Sequence, residues 1–195
     1  IAIQSDDLII VDGNTGTVII DPGEQTLIEY EERKIGYEEF KAVITRESHL
    51  GAETTDGVKL EVMANIEFPE EIISVQNYGG DGIGLYRTEF QYMNHPQFPS
   101  EEELFEKYRE VVEVMAPMPV TIRTLDINGD KAIANQSSLD EANPALGLRA
   151  IRYCLRKPKV FKTQLRAILR AAAFGNVRIL FPMIAAYFEI CEALK

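Results

Sequence analysis

Hydrophobic and polar positions divide the chain into two stretches of different rhythm. Leu8-Ile9-Ile10-Val11 and Thr17-Val18-Ile19-Ile20 are β-branched runs separated by Asp12-Gly13-Asn14-Thr15-Gly16, which predicts a hairpin with a glycine-dependent turn. Asp21-Pro22-Gly23 ends the second strand. From Glu24 to Glu47 the apolar residues are Leu27, Ile28, Tyr30, Ile35, Tyr37, Phe40, Val43 and Ile44 on a heavily charged background. They approximate a helical stripe and predict a linker helix or helix pair.

After Thr54-Thr55-Asp56-Gly57 the chain alternates strand-like and helix-like runs: Lys59–Ala64, Glu70–Tyr78, Gly82–Tyr86, Glu101–Met115, Val120–Leu125, Pro144–Leu155, Val160–Phe174 and Val177–Phe181. Alternation of this kind predicts parallel strands with crossover helices, here four strand–helix units. Ser100 followed by Glu103 has the spacing of a capping box, and Gly175 after Phe174 reads as a helix stop. Four parallel strands fit either a small open sheet or half of an eight-stranded barrel, and the alternation admits both.

Composition narrows the function classes. The chain has 195 residues, 46% hydrophobic and 26% charged, ordinary for a soluble globular protein, with no apolar run near the roughly 20 residues that cross a bilayer. Membrane insertion is therefore not expected. A formal charge of −11 opposes attraction to nucleic acid, which depends on Lys and Arg neutralising phosphates. The acidic runs Glu29, Glu31, Glu32, Glu38, Glu39 and Glu101–Glu103 read as solvated helix faces. The first residues lack the basic start and small-residue cleavage site of an export signal, and Cys154 and Cys191 have no metal-ligand spacing. A cytoplasmic location with two buried structural thiols is the expectation.

Two segments could carry chemistry. In Gly82-Ile-Gly-Leu-Tyr-Arg-Thr-Glu-Phe90 a short apolar strand ends in Arg87 and Glu89; in Val120-Thr-Ile-Arg-Thr-Leu-Asp-Ile-Asn-Gly-Asp-Lys131 a second ends in Arg123, followed by Asp126, Asp130 and Lys131. Strand C-termini in parallel α/β folds are where ligands collect. Either arginine alone reads more readily as a surface ion pair. The shared Arg-Thr-acid neighbourhood points instead to a small ligand with phosphate and carboxylate groups, since a guanidinium offers a planar fork to two oxygens. Asp126 and Lys131 are read as residues that orient the arginines rather than as metal ligands, and Glu89 has the same ambiguity. Arg149 is expected about a turn and a half inside a helix that starts near Pro144, while Arg166 and Arg170 read as ordinary surface residues. The two histidines, His49 and His95, lie in contexts unsuited to a nucleophile.

Asp81-Gly-Ile-Gly-Leu-Tyr-Arg-Thr-Glu-Phe90, Ile122-Arg-Thr-Leu-Asp-Ile-Asn-Gly-Asp-Lys131 and Asn143-Pro-Ala-Leu-Gly-Leu-Arg149, in that order, resemble enzyme I of the phosphoenolpyruvate:sugar phosphotransferase system. The Gln164–Gly175 helix and the Arg178–Met183 strand are similar to that family too. The resemblance implies an α/β fold in three parts: residues 1–23 ending a phosphohistidine domain with a β-hairpin remnant, 24–57 a helical linker, and 58–195 the first half of a TIM-type (β/α) barrel. It implies phosphate transfer from phosphoenolpyruvate to a histidine and then to the carrier protein HPr, driving sugar uptake with Mg2+ assisting. By motif match, Arg87 and Arg123 would bind phosphoenolpyruvate, with Glu89, Asp126, Lys131 and Arg149 supporting them.

The family's Gly-Gly-x-Thr-Ser-His motif is absent, and its Mg2+ carboxylates, catalytic cysteine and later substrate residues are expected beyond Lys195. Tyr86 and Asn128 stand where leucine and glycine are more usual. The implied chain holds no catalytic or metal-ligating residue, is inactive by itself, and self-associates or dimerises through exposed strand edges. A pyruvate phosphate dikinase or phosphoenolpyruvate synthase relative, and a non-catalytic regulatory binding fragment, are the alternative readings.

Overall fold

In the computed structural model, which describes residues 3–93, 97–127 and 147–195, the two β-branched runs pair antiparallel as β1 (Ile9–Asp12) and β2 (Thr17–Ile20). The Asp12 carboxylate shapes the connection by accepting from the amides of Asn14 at 2.9 Å and Thr15 at 3.2 Å, a local bond to which aspartate's short side chain is suited. Helix α1 (Glu24–Glu47) is one unbroken element, not a pair. Its apolar residues do not form the single stripe suggested by the sequence. None is buried, because at about 3.6 residues per turn Leu27, Ile35, Val43, Phe40 and Tyr37 succeed one another around the whole circumference.

These elements make up one compact unit, Ile1–His49; Leu50–Lys195 form another. In the second, the run read as one strand over Lys59–Ala64 divides in two. β4 (Lys59–Leu60) pairs antiparallel with β3 (Ala52–Glu53), and β5 (Met63–Ile66) begins the main sheet. Among the described residues that sheet has four parallel strands in the order β5, β6 (Gly82–Tyr86), β7 (Val120–Arg123), β8 (Val177–Leu180). Between and after the strands run α2 (Ile72–Asn77), α3 (Glu101–Met115), α4 (Ala150–Arg156), α5 (Pro158–Ala171) and α6 (Tyr187–Ala193). The fold is mixed α/β, as the alternation predicts.

The core lies where α3 and α5 pack on each other beside the sheet. Helix α3 buries Leu104, Phe105, Tyr108, Val111, Val112 and Met115, the i, i+3/i+4 spacing of one face, and each such apolar side chain contributes about 1.5–3 kcal/mol. Its start is the capping box read from the sequence: the Glu103 amide donates to Ser100 Oγ at 3.3 Å, and Glu103 Oε2 accepts from the Ser100 amide at 2.7 Å. Arg170 is more than a surface residue. Its guanidinium lies 3.9 Å from the Phe105 ring centroid and pairs with Glu101 at 3.0 Å and Glu102 at 2.9 Å, tying α5 to the first turn of α3. Gly175 ends the helical segment through close approach rather than through a left-handed turn. Its φ is 177°, extended backbone, and a Cβ there would lie 2.9 Å from both Cγ1 and the carbonyl oxygen of Val112. Among the described residues no helix is long and apolar enough to cross a membrane.

Candidate functional site

Because β5–β8 are parallel, the residues following each strand emerge at one end of the sheet, where side chains from different strands can meet. Glu67 follows β5, Arg87 and Glu89 follow β6, and Arg123 ends β7 with Asp126 just beyond. Arg123 Nη2 donates to Glu89 Oε1 at 2.8 Å and its Nη1 lies 3.4 Å from Asp126 Oδ2. Arg149 approaches the other Asp126 oxygen through Nη2 at 2.8 Å and Nε at 3.1 Å. The Asp126 amide closes the cluster by donating to Glu89 Oε1 at 3.2 Å. Two arginines and two carboxylates from three separate stretches of chain thus form one connected group.

Arg149 does not sit inside a helix. It is the extended residue that caps α4, one position before Ala150, so its side chain leaves the chain at the helix start and reaches Asp126 instead of solvent. Arg87 lies at the same end of the sheet but pairs with Glu67, a partner that the sequence reading did not include. Lys131, Asn128, Asp130, Asn143, Pro144 and His95 lie outside the described residues.

The pairs differ in their exposure to water. The Asp126 and Arg123 side chains are 10% and 21% exposed, against 41% for Arg87. Salt screens the inner cluster less than the Arg87–Glu67 pair, whose contribution as an exposed pair is small. Among the described residues Arg123 Nε is buried without a hydrogen-bond partner, a donor whose desolvation costs about 1–3 kcal/mol. A fork with one unsatisfied donor and acid-bound neighbours can be redrawn around an incoming oxyanion. The chemistry offered is multidentate recognition of a small anion.

Beneath the cluster lies a polar network missed by the sequence reading. Gln164 Oε1 accepts from the Leu125 amide at 2.9 Å, while its Nε2 donates to Thr88 Oγ1 at 3.0 Å and to the Tyr108 hydroxyl at 3.2 Å. Thr88 Oγ1 in turn donates to the Arg123 carbonyl at 2.9 Å. A signal for Gln164 existed: it interrupts the otherwise apolar buried face Phe161, Ala167, Ile168, Ala171 of α5. Glu67 had none, since its approach to Arg87 depends on the pairing of β5 with β6. Tyr86 is fully buried, with its hydroxyl accepting from Gln91 Nε2 at 2.7 Å.

Among the described residues no group of three or more His, Cys, Asp or Glu side chains is arranged to hold a metal ion. Both carboxylates of the cluster, Glu89 and Asp126, are engaged by arginines. Cys154 packs under the site with Sγ 3.7 Å from the Leu125 carbonyl oxygen. Burial, with a smaller contribution from the Asp126 charge, pushes its thiol up to about 12. Cys191 is only partly buried, so the two thiols do not share one environment as the sequence suggested. Alkylation of the native protein near pH 8 should modify Cys191 and leave Cys154 until the chain unfolds, which intact-mass analysis can count. An unfolded thiol ionises near about 8.5. The stability contributed by the neutral Cys154 is therefore complete below that value and is lost as pH rises toward about 12.

Residues 41–195 match the family described as PEP-utilising enzyme, PEP-binding domain. Over 191 residues, 98% of this chain, the sequence is 45% identical to a protein of Bacillus sp. (strain S) named phosphoenolpyruvate-protein phosphotransferase. Proteins with the same name from Staphylococcus epidermidis and Priestia megaterium are 46% and 47% identical over the same length. The chain spans 33% of the length of each of these relatives.

Proposed function

The chain belongs to the PEP-utilising enzymes through their PEP-binding domain, and from that premise we propose that Arg87, Arg123 and Arg149 bind phosphoenolpyruvate within a phosphoenolpyruvate-protein phosphotransferase. The observation that carries this reading is the meeting of Arg123 and Arg149 on Asp126, beside Arg87, at the C-terminal ends of neighbouring parallel strands. Phosphoenolpyruvate bears a phosphate and a carboxylate on three carbons, and guanidinium forks on two adjacent strand ends and at the start of α4 can engage both groups. Glu89 and Asp126 hold the forks before the ligand arrives. Preorganisation of this kind lowers the cost of ordering long side chains on binding.

In this reading β5–β8 are the first four strands of a (β/α) barrel, and β1–β2 are the end of a domain that carries the phosphorylated histidine. Mg2+ and the remaining substrate contacts are held by residues outside this chain. The full protein passes the phosphoryl group to HPr in the cytoplasm and acts as a dimer, and the chain by itself binds the ligand without transferring phosphate. Lys131 is proposed to support the arginines alongside Glu89 and Asp126.

Calorimetric titration of the chain with phosphoenolpyruvate, with pyruvate and inorganic phosphate as comparators, tests the site. Phosphoenolpyruvate should bind more tightly than either comparator, because only it presents both anionic groups. Arg87→Ala should weaken that binding about ten- to a hundredfold, the effect of losing hydrogen bonds to a charged group. No heat with phosphoenolpyruvate, or unchanged affinity in the variant, would overturn the reading.

A further inference from the structure

Gln164 is wholly buried, with a relative exposure of 0%, on a helix face that otherwise holds only Phe161 and small or aliphatic residues. Placing an amide there is unfavourable unless each polar atom is paired, and here each is: Oε1 by the Leu125 amide, Nε2 by Thr88 and Tyr108. The groups it reaches are informative. Thr88 lies between Arg87 and Glu89, and Leu125 lies between Arg123 and Asp126. The β6–β7 pairing ends at Tyr86↔Ile122, so Arg87, Thr88, Glu89, Leu125 and Asp126 all lie past the last rung between these strands. Beyond that rung, one side chain from α5 holds both strand extensions, directly at Leu125 and through the Thr88 hydroxyl bonded to the Arg123 carbonyl.

We infer that Gln164 is a positioning residue, setting the relative placement of the two strand extensions so that Arg123 and Arg149 converge on Asp126 and Glu89. A buried network with every member satisfied specifies one arrangement, whereas an apolar contact of the same volume tolerates sliding. Tyr108, from α3, braces the amide on its third side. Gln164 touches no reacting group; it acts through the backbone that carries the arginines. Its importance for ligand binding rests on the phosphoenolpyruvate reading above, but the placement of the arginines does not.

The test uses the 195-residue chain with Gln164→Leu, Thr88→Val and, as a packing control, Ile168→Val, a fully buried change one turn further along α5. Two quantities are measured: the side-chain Nε–H resonances of Arg123 and Arg149 by NMR without ligand, and phosphoenolpyruvate affinity under conditions where every variant is folded. Gln164→Leu should displace both resonances and lower affinity at least tenfold, and Thr88→Val, which cuts the relay while keeping Gln164, should displace Arg123 in the same direction. Ile168→Val should lower the melting temperature and leave resonances and affinity unchanged. Unmoved resonances in Gln164→Leu, or equal displacement in Ile168→Val, overturns the inference. Where Gln164→Leu does not fold, Thr88→Val decides alone. If the wild-type chain binds no phosphoenolpyruvate but the arginine resonances of Gln164→Leu are still displaced, the ligand reading is refuted and the positioning role is supported.

Discussion

Arg123→Ala is expected to lower phosphoenolpyruvate affinity at least about a hundredfold, more than any other single change at the site. Arg123 joins the Glu89 and Asp126 carboxylates at 2.8 and 3.4 Å, and these side chains are only 11% and 10% exposed. Its removal takes away a fork for the ligand and leaves two carboxylates facing the incoming anion. Like charges there repel the ligand as well as failing to bind it. The fold should weaken too, by about 2–4 kcal/mol, because breaking one partner of a largely buried pair strands the other. Arg149 on Asp126, and the Asp126 amide on Glu89, keep the loss from the upper end of that range. Arg123→Lys should recover much of the stability and little of the affinity, since an ammonium supplies charge without the planar fork. Calorimetry for affinity and urea unfolding for stability measure the two separately. Affinity within about threefold of wild type in Arg123→Ala would remove the residue from the binding site.

Gly82→Ala should be among the most damaging single-methyl changes, with a loss of at least about 3 kcal/mol. Gly82 opens β6 at φ 154°, backbone that side chains rarely adopt, and a Cβ would stand 2.6 Å from the Pro119 carbonyl oxygen. That oxygen cannot retreat freely, because it accepts from the Ile83 amide at 2.8 Å and so helps join β6 to the segment entering β7. Met63 Cε and Pro119 Cδ, each 3.0 Å from the added carbon, close the other sides. Relief would require opening the two strands that deliver Arg87 and Arg123. The urea midpoint should therefore fall by at least about 1 M for a slope of about 2–3 kcal/mol/M. Gly13→Ala is the control, since among the described residues nothing lies within 4 Å of a Cβ there; its change should stay within about 0.5 kcal/mol. Equal losses at both positions would show that the contact with Pro119 is not the cause.

Much of the second unit was legible because its signals are local. Helix α3 spans Glu101–Met115 and β6 spans Gly82–Tyr86, the limits read from apolar periodicity, and the Ser100–Glu103 cap needs residues only three apart. Local reading erred where one pattern covered two environments. Lys59–Ala64 is uniformly strand-like, yet its first residues pair with Ala52–Glu53 and the strand that follows begins the main sheet. Helix α1 has enough apolar residues for a stripe, but their spacing carries them around the helix. Arg149 was misplaced because the helix was begun at Pro144, whereas α4 starts at Ala150.

The sequence by itself determined most elements of the α/β unit, their order, and the delivery of Arg87 and Arg123 at successive strand ends, because hydrophobic period, caps and breakers act over a few residues. Only the tertiary structure decided which charges meet. Glu67 reaches Arg87 across 20 residues, Glu89 reaches Arg123 across 34, and Gln164 reaches Thr88 across 76. These encounters depend on strand register and on the packing of α5 against α3. Both are set by many weak contacts acting together, and no single stretch of sequence carries them.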